Sequence, residues 1–437
     1  MAAAQGTDTP AGHPRAFGLW SATALVIGCI IGSGVFLLPA SMARYGGVSL
    51  AGWAITLAGA LAMARTFARL AMRWPQTGGP YVYARQAFGD LPAFVVAWSY
   101  WISNWCGVAA LAVAFAGSVG AVWPALIATP LRAALLALGA LWVCAWINLQ
   151  GMRHAGRAQV LLTALKFLPL LLFALIAVWY VEARHFVPFN PSGESLPVAI
   201  NATVALALWA LLGLEAATVP AGTIRDAERT IPRATVLGTL LAGIATVLAV
   251  TAVIGIVPAA QLQASTAPMA DAARLLWGPW AGTAIALVAA VSCLGALNGW
   301  LLITAQIPFA AARDGLMPGP FAHLGKGGTP SFGILAGALL ASLLVAANFS
   351  RSLVQLFTFS ILLSTASTLL PYCIGASAWL ARGGAKGRVV AALALAYSLY
   401  ALVGTGAESL AWGGVLWLAG LPVYAWLKRR PAPAAGV

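Results

Sequence analysis

Two ionisable side chains lie inside long apolar stretches of the sequence, where a charge is expensive. Glu215 is the only one of the ten acidic residues inside such a stretch, and Lys166 is the only one of the 24 basic residues well within one. An ionisable group in the hydrocarbon region costs about 3 kcal/mol on insertion scales, so it is a functional candidate. We expect a gating or proton-exchanging role, or else a static polar contact between two helices.

The first and sixth apolar stretches each contain a break in their helical pattern. Gly32, Ser33 and Gly34 interrupt the first, and residues 209–215 (WALLGLE) interrupt the sixth. Unwound backbone is tolerated at membrane depth only where protein or a wet cavity satisfies its polar groups. The N-termini of half-helices present free N–H groups and a positive dipole end that attract a carboxylate. The paired breaks predict a central site for an amino-acid-like solute. The alternative is that these glycines only allow close helix packing.

Three aromatic side chains lie in the interior of apolar stretches: Trp209, Trp300 and Tyr100. Tryptophan and tyrosine usually collect at the membrane interface, so an interior position is informative. A ring face there could stack on an ammonium, a guanidinium or an aliphatic chain. Ordinary packing in the protein interior is the alternative for each ring.

Several polar side chains occur at a similar depth and are candidates to line a pocket. They are Ser103, Asn104, Asn298 and Ser364. Such residues also form hydrogen bonds between neighbouring membrane helices, and the sequence leaves both roles open.

The composition places the chain in a lipid bilayer. Hydrophobic residues make up 61% of the 437 residues and charged residues only 8%, with a mean hydropathy of +0.90. About 20 apolar residues in a row span a bilayer as a helix, and such runs recur along the chain. We predict an all-α membrane protein with twelve spans, at 19–42, 50–71, 91–119, 133–150, 158–181, 196–220, 234–257, 281–311, 333–347, 353–380, 389–406 and 410–427.

The distribution of basic residues gives the predicted orientation. With the N-terminus inside, 19 of the 24 Lys and Arg residues fall on cytoplasmic segments or in span five. This asymmetry follows the positive-inside rule and predicts that both termini are cytoplasmic. The net charge of +14 then reflects orientation and contact with anionic lipid rather than nucleic-acid binding. The predicted outer side carries Arg44, Arg132, Arg184, Arg274 and Arg351.

The sequence offers no catalytic cluster, metal site or cofactor motif. The histidines lie in predicted tails or loops, at His13, His154, His185 and His323. The cysteines are widely spaced within apolar runs, without a CxxC pair, at Cys29, Cys106, Cys144, Cys293 and Cys373. We therefore predict neither an enzyme nor a metalloprotein, and no disulfide framework.

The predicted domain organisation is a single transport domain. Residues 1–16 are expected to form a disordered cytoplasmic tail, residues 17–427 the membrane domain, and residues 428–437 a second cytoplasmic tail. The matching breaks in spans one and six indicate two repeats of five spans with inverted topology, over residues 17–182 and 196–381. Two extra helices over 389–427 complete the domain.

Four motifs carry a resemblance to a known family. The segments 27–36 (IGCIIGSGVF), 78–85 (GGPYVYAR), 208–216 (LWALLGLEA) and 311–318 (AARDGLMP) resemble the amino acid, polyamine and organocation superfamily. The likeness is strongest to the bacterial arginine/agmatine antiporter and related basic amino acid/polyamine antiporters. It implies the leucine-transporter-type fold with its five-plus-five inverted repeat, and a homodimer in the bacterial inner membrane.

The resemblance also implies roles for particular residues. The backbone of Gly32, Ser33 and Gly34 would receive the substrate carboxylate, and Trp209 would be the aromatic gate above it. Trp300 would stack on the substrate side chain or pack beside it. The resemblance further implies a hydroxyl from Ser364 and a gate on one side of the pocket formed by Tyr100, Glu215 and Tyr372.

Three positions depart from the arginine/agmatine antiporter by losing polar groups. Cys29 and Val108 stand where that protein has asparagines, and Ala210 stands where it has a serine. Each hydrogen bond lost to a buried cationic side chain costs about 1–3 kcal/mol, which argues against strict arginine recognition. Asn104 and Ser103, one turn earlier than Val108, are candidates to compensate.

Lys166 is a fourth departure. A lysine in span five resembles other permeases of the superfamily, where it is a built-in cation at the place where sodium-dependent relatives bind Na⁺. A fixed cation would disfavour a cationic substrate and permit sodium-independent transport.

The sequence therefore predicts a sodium-independent amino-acid exchanger, or a proton-coupled permease. Three alternatives remain. The first is a dedicated arginine/agmatine or other diamine antiporter for acid resistance, and the second is a receptor that keeps the fold without transporting. The third is a membrane-embedded enzyme, for which the sequence offers no catalytic cluster.

Overall fold

The computed structural model describes residues 18–32, 34–76, 78–150, 167–218, 224–325 and 328–429. Ser33, Lys166 and the predicted N-terminal tail lie outside the described residues, as does all but the first two positions of the predicted C-terminal tail.

The described chain folds into α-helices joined by short turns and 3₁₀ segments. The helices are α1 (Leu19–Ile30), α2 (Gly34–Met42), α3 (Val48–Arg73), α4 (Pro80–Phe88), α5 (Asp90–Gly120), α6 (Pro130–Leu149), α7 (Phe167–Tyr180), α8 (Leu196–Trp209), α9 (Ala227–Ile256), α10 (Ala259–Ala264), α11 (Pro268–Trp277), α12 (Pro279–Arg313), α13 (Ser331–Ala347), α14 (Leu353–Arg382), α15 (Arg388–Gly404), α16 (Gly406–Leu418) and α17 (Gly420–Arg429).

Every predicted span has an apolar helical segment at its position in the described residues. Eight segments are long and apolar enough to cross a membrane, and α7, α8, α13 and α15 are shorter apolar helices. In lipid a chain must satisfy its backbone hydrogen bonds within each segment, which is why apolar runs become helices. The protein is therefore an all-helical, multi-pass membrane protein, and the exact number of spans stays a prediction.

The two predicted helix breaks are present. Helix α1 ends at Ile30 and α2 begins at Gly34, with bends at positions 31 and 32. Helix α8 ends at Trp209, and residues 210–215 continue as turns rather than as helix. Gly213 adopts φ +96°, a left-handed conformation that side chains rarely tolerate. The predicted span over 196–220 is thus a half-helix followed by unwound chain.

Helix α5 lies at the centre of the fold and is buried along nearly its whole length. It packs mainly against α12 and α14, while α1 and α3 pack against α9 on the other side of the bundle. A helix that is apolar all around is buried on all sides, and the many alanines and glycines of α5 let its neighbours approach closely. Helix α5 therefore forms a rigid wall beside the broken helices.

Two short helices after α9 were not predicted from the sequence. Helices α10 and α11 occupy the connection between α9 and α12, and both pack against α2. Helix α10 has only six residues, and Pro268 begins α11, where its missing N–H costs nothing. They cover α2 at the predicted outer end of the bundle.

The structure brings together two of the motifs that carry the family resemblance. The segment 78–85 opens α4, and Asp314 of the segment 311–318 caps the far end of α12. Asp314 Oδ2 accepts a hydrogen bond from Tyr81 Oη at 2.9 Å and pairs with Arg85 Nη1 at 2.9 Å. Burial, followed by the bond to Asp314, raises the pKa of Tyr81, so its phenol stays protonated and donates. These contacts fasten the predicted inner loop to α12.

Candidate functional site

The two helix breaks meet each other at close range. A methyl group placed on Gly34 would come within 3.1 Å of both Cα and Cβ of Ala210 and within 3.2 Å of Trp209 Cδ1. Carbon atoms normally stay about 3.5–4.0 Å apart, so only glycine lets α2 start this close to the end of α8. The sequence predicted this meeting point from the two breaks.

A small cavity lies between the breaks and the central helices. Its volume is about 10 Å³, room for about one water. Of the predicted site residues, Cys29, Gly32, Gly34, Trp209 and Trp300 line it. Three other lining residues, which were not predicted from the sequence, are Ile30, Leu111 and Leu212.

The two predicted aromatic residues form one side of this cavity. The ring centroids of Trp209 and Trp300 are 6.5 Å apart, with an interplanar angle of 31°. Trp209 also lies against α5, since a methyl group on Gly107 would meet its Cη2 at 3.0 Å. Two aromatic rings therefore lie beside the meeting point of the helix breaks.

The predicted hydroxyl groups are bonded to each other across α5 and α14. Ser364 Oγ donates to the Ser103 carbonyl at 2.8 Å, and the hydroxyls of Ser103 and Ser364 are 2.9 Å apart. Ser103 Oγ also contacts Thr368 Oγ1. The Ser364 hydroxyl therefore donates its proton to a carbonyl of α5, although its oxygen can still accept a hydrogen bond.

Asn298 makes an interhelical contact. The amide nitrogen of Asn148 on α6 donates to Asn298 Oδ1 at 2.9 Å and to the Asn298 carbonyl at 3.1 Å. Between the two roles that the sequence left open for Asn298, the structure favours a bond between membrane helices.

Glu215 and Tyr372 form a buried gate-like contact on the predicted inner side of the break. Tyr372 Oη donates to Glu215 Oε2 at 2.7 Å, and the two side chains are 0% and 2% exposed. Phe67 packs edge-on against the Tyr372 ring with centroids 5.2 Å apart. This bond ties the unwound chain after α8 to α14. Tyr100, the third predicted gate residue, is buried on α5.

A much larger cavity opens at the end of the bundle that carries Arg44 and Arg351. It has a volume of about 740 Å³ and is lined by α2, α8, α14 and the connection from α15 to α16. Two ion pairs lie at its edge, Arg44 with Glu194 at 2.8 Å and Arg351 with Glu408 at 2.6 Å. This cavity shares no lining residue with the small cavity between the breaks.

Apolar helices, and two broken helices that meet at an aromatic-lined cavity, are features of a multi-pass membrane transporter. The amino acid permease family model matches residues 17–426. The chain belongs to this family, and the predicted superfamily membership is confirmed.

Three curated relatives match over most of the chain. A cadaverine/lysine antiporter of Escherichia coli (strain K12) is 32% identical over 329 residues, 74% of this chain and 73% of the relative. The putrescine transporter PotE of the same strain is 28% identical over 423 residues, 94% of this chain and 96% of its own length. The PotE protein of Haemophilus influenzae is 27% identical, over 94% and 97% of the two chains.

These relatives confirm the predicted class of protein. The family and its members are transporters and antiporters of amino acids and amines, and not enzymes. The chain is therefore a secondary transporter of the amino acid/amine class.

Proposed function

We propose that this protein is a sodium-independent exchanger of amino acids that works by alternating access in the bacterial inner membrane. The observation that carries the proposal is the meeting of the two helix breaks beside Trp209 and Trp300. In this arrangement the backbone at the first break, from Gly32 through Ser33 to Gly34, receives the substrate carboxylate. Trp209 covers the bound substrate, and Trp300 packs against its side chain.

The proposed topology has twelve spans with both termini in the cytoplasm and a five-plus-five inverted repeat. The basic residues support it, because five of 24 fall on the predicted outer side. In this orientation the cavity of about 740 Å³ faces outward, and Glu215, Tyr372 and Tyr100 form the closed inner gate. Transport then requires the Glu215–Tyr372 bond to break while Trp209 closes the outer path. The proposed assembly is a homodimer surrounded by anionic lipid.

The proposed substrates are zwitterionic amino acids. Cys29, Val108 and Ala210 offer no strong hydrogen-bonding side chain to a cationic substrate, and Val108 is fully buried. The built-in cation predicted at Lys166 repels a second positive charge. The names of the relatives favour a second candidate, an antiporter of a basic amino acid and a diamine for acid resistance.

Exchange in proteoliposomes tests the proposal and separates the candidates. Vesicles are preloaded with radiolabelled alanine or arginine and challenged outside with amino acids and their decarboxylated amines, at acidic and neutral pH, with and without sodium. Exchange of neutral amino acids without sodium supports the proposal. Exchange of arginine for agmatine, or lysine for cadaverine, favoured at acidic pH would establish the second candidate. Binding without any flux would indicate a receptor.

Replacement of Lys166 by alanine is expected to abolish sodium-independent exchange of neutral amino acids. The physical reason is that the proposed built-in cation takes the place of a bound Na⁺. Initial exchange rates of the Lys166→Ala variant, measured with and without sodium, check this expectation, and Lys386→Ala near the predicted inner surface is the control. Unchanged neutral exchange in Lys166→Ala would contradict the built-in cation.

A further inference from the structure

Asn104 on α5 is fully buried, and its side-chain amide is unpaired. It is 0% exposed, and neither Oδ1 nor Nδ2 has a hydrogen-bond partner within the described parts of the chain. More than nine in ten buried polar groups in proteins are hydrogen-bonded, and leaving one unpaired costs about 1–3 kcal/mol. An amide with both ends unpaired at the centre of a transporter therefore indicates a place for a ligand.

Helical geometry places Asn104 on the face of α5 that also carries the cavity-lining residue Leu111. Tyr100, Asn104, Gly107 and Leu111 follow the i, i+4, i+7, i+11 spacing that forms one face of a helix. At 3.6 residues per turn, Asn104 and Leu111 differ in direction by only about 20°. Leu111 lines the cavity with Trp209 and Trp300, and Gly107 contacts the Trp209 ring. Asn104 thus lies on the cavity side of α5, two turns from Leu111 toward the inner gate.

The hydroxyl groups beside Asn104 already form hydrogen bonds with one another, whereas its amide has no partner within the described residues. Ser103 and Ser364 are bonded to each other, and Ser364 donates to the Ser103 carbonyl. Val108, one turn further along α5, has no polar atoms in its side chain.

We propose that Asn104 selects substrates with an uncharged side chain that both donates and accepts hydrogen bonds, such as a hydroxyl or a carboxamide; this rests on the exchange function proposed above. A carboxamide offers one acceptor oxygen and two N–H donors. An ammonium group donates only, so it pairs with Oδ1 and leaves Nδ2 unpaired beside a positive charge. An aliphatic side chain leaves both ends unpaired. Serine, threonine, asparagine and glutamine satisfy both ends.

Exchange with matched pairs of substrates tests this selectivity. Proteoliposomes preloaded with radiolabelled alanine are challenged with serine against 2-aminobutyrate, glutamine against methionine, and lysine and putrescine as cations. In the native protein we expect the polar member of each pair to have a half-saturation concentration roughly 10- to 100-fold lower than that of the apolar member. The apolar member leaves the buried Asn104 amide without hydrogen bonds, and that cost accounts for the difference.

Two substitutions at the same position separate hydrogen bonding from shape. Asn104→Leu keeps the size of the side chain and removes both of its polar ends. The ratio of half-saturation concentrations within each substrate pair is therefore expected to shrink to about threefold or less, while 2-aminobutyrate is still exchanged. Asn104→Asp removes the donors and adds a negative charge, so lysine is expected to gain relative to glutamine. Asn148→Leu is the control, because that amide bonds to Asn298 on α12, and it is expected to leave the selectivity unchanged.

The outcomes distinguish a failure of the selectivity from a failure of the function. Lysine or putrescine exchanged in preference to the neutral pairs by the native protein would overturn the role of Asn104, as would an unchanged preference in Asn104→Leu. If no compound in the panel, cations included, drives exchange in the native protein, the proposed exchange function itself fails.

Discussion

Replacement of Glu215 by glutamine is expected to lower exchange flux by roughly 10- to 100-fold while substrate binding persists. A hydrogen bond to a charged group contributes about 1.5–3 kcal/mol, and Glu215 accepts such a bond from Tyr372 where both side chains are buried. Glutamine keeps the size but removes the charge and the site for a proton. Flux in proteoliposomes across a range of pH, together with equilibrium binding, checks the expectation.

Two further variants define what the Glu215 carboxylate contributes. Tyr372→Phe removes the 2.7 Å hydrogen bond and leaves the carboxylate in place, so it changes gating without removing the titratable group. Glu408→Gln removes an exposed carboxylate that pairs with Arg351, and exposed pairs contribute about 0–1 kcal/mol, so flux is expected to change little. Flux and a pH profile in Glu215→Gln equal to those of the native protein would rule out both a gating and a proton-coupling role.

Replacement of Gly34 by valine is expected to lower substrate affinity by roughly 10- to 100-fold. The first carbon of any side chain here comes within 3.1 Å of Ala210 and 3.2 Å of Trp209 Cδ1, and valine adds two more carbons. Overpacking of this kind costs about 1–3 kcal/mol or forces the two breaks apart, which would displace the backbone groups proposed to bind the carboxylate. Ligand binding to the purified variant measures the loss.

The control for Gly34 is the same substitution at Gly139 on α6. A side chain there meets no atom within 4 Å, and the position is exposed, so Gly139→Val is expected to keep binding and flux. Gly34→Ala should give an intermediate loss, since one methyl group needs only a few tenths of an ångström of adjustment. Equal substrate affinities in the Gly34 and Gly139 variants would place the substrate away from the meeting point of the breaks.

The site could be predicted only in part, because position along a helix does not reveal hydrogen-bond partners. Trp209 and Trp300 were recognised from their unusual depth, and the structure places them at one cavity. Ser364, Asn104 and Asn298 were indistinguishable as polar residues within apolar spans. The structure separates them, since Ser364 bonds to α5, Asn298 to α6, and the Asn104 amide is unpaired within the described residues.

The fold shows a similar division between local pattern and long-range packing. Apolar runs predicted most helix ends to within about four residues. The exceptions are α9, which begins at Ala227, seven residues before the predicted start of span seven, and the unwound end of span six. The predicted start of span five lies outside the described residues. The small helices α4, α10 and α11 were not predicted, because they lie between the predicted spans and their weak patterns are stabilised by packing on α5, α2 and α12.

The sequence by itself determined that this protein resides in a membrane, where its spans lie, and where the first and sixth spans break. These properties are local. A bilayer requires each apolar segment to form its own backbone hydrogen bonds, and a charge or a glycine within that segment raises its free energy whatever the rest of the chain does. The tertiary structure decided which distant groups meet. Tyr372 reaches Glu215 across 157 positions of sequence, and Ser364 reaches Ser103 across 261. Among the described residues, the helices packed around Asn104 bring its amide no hydrogen-bond partner.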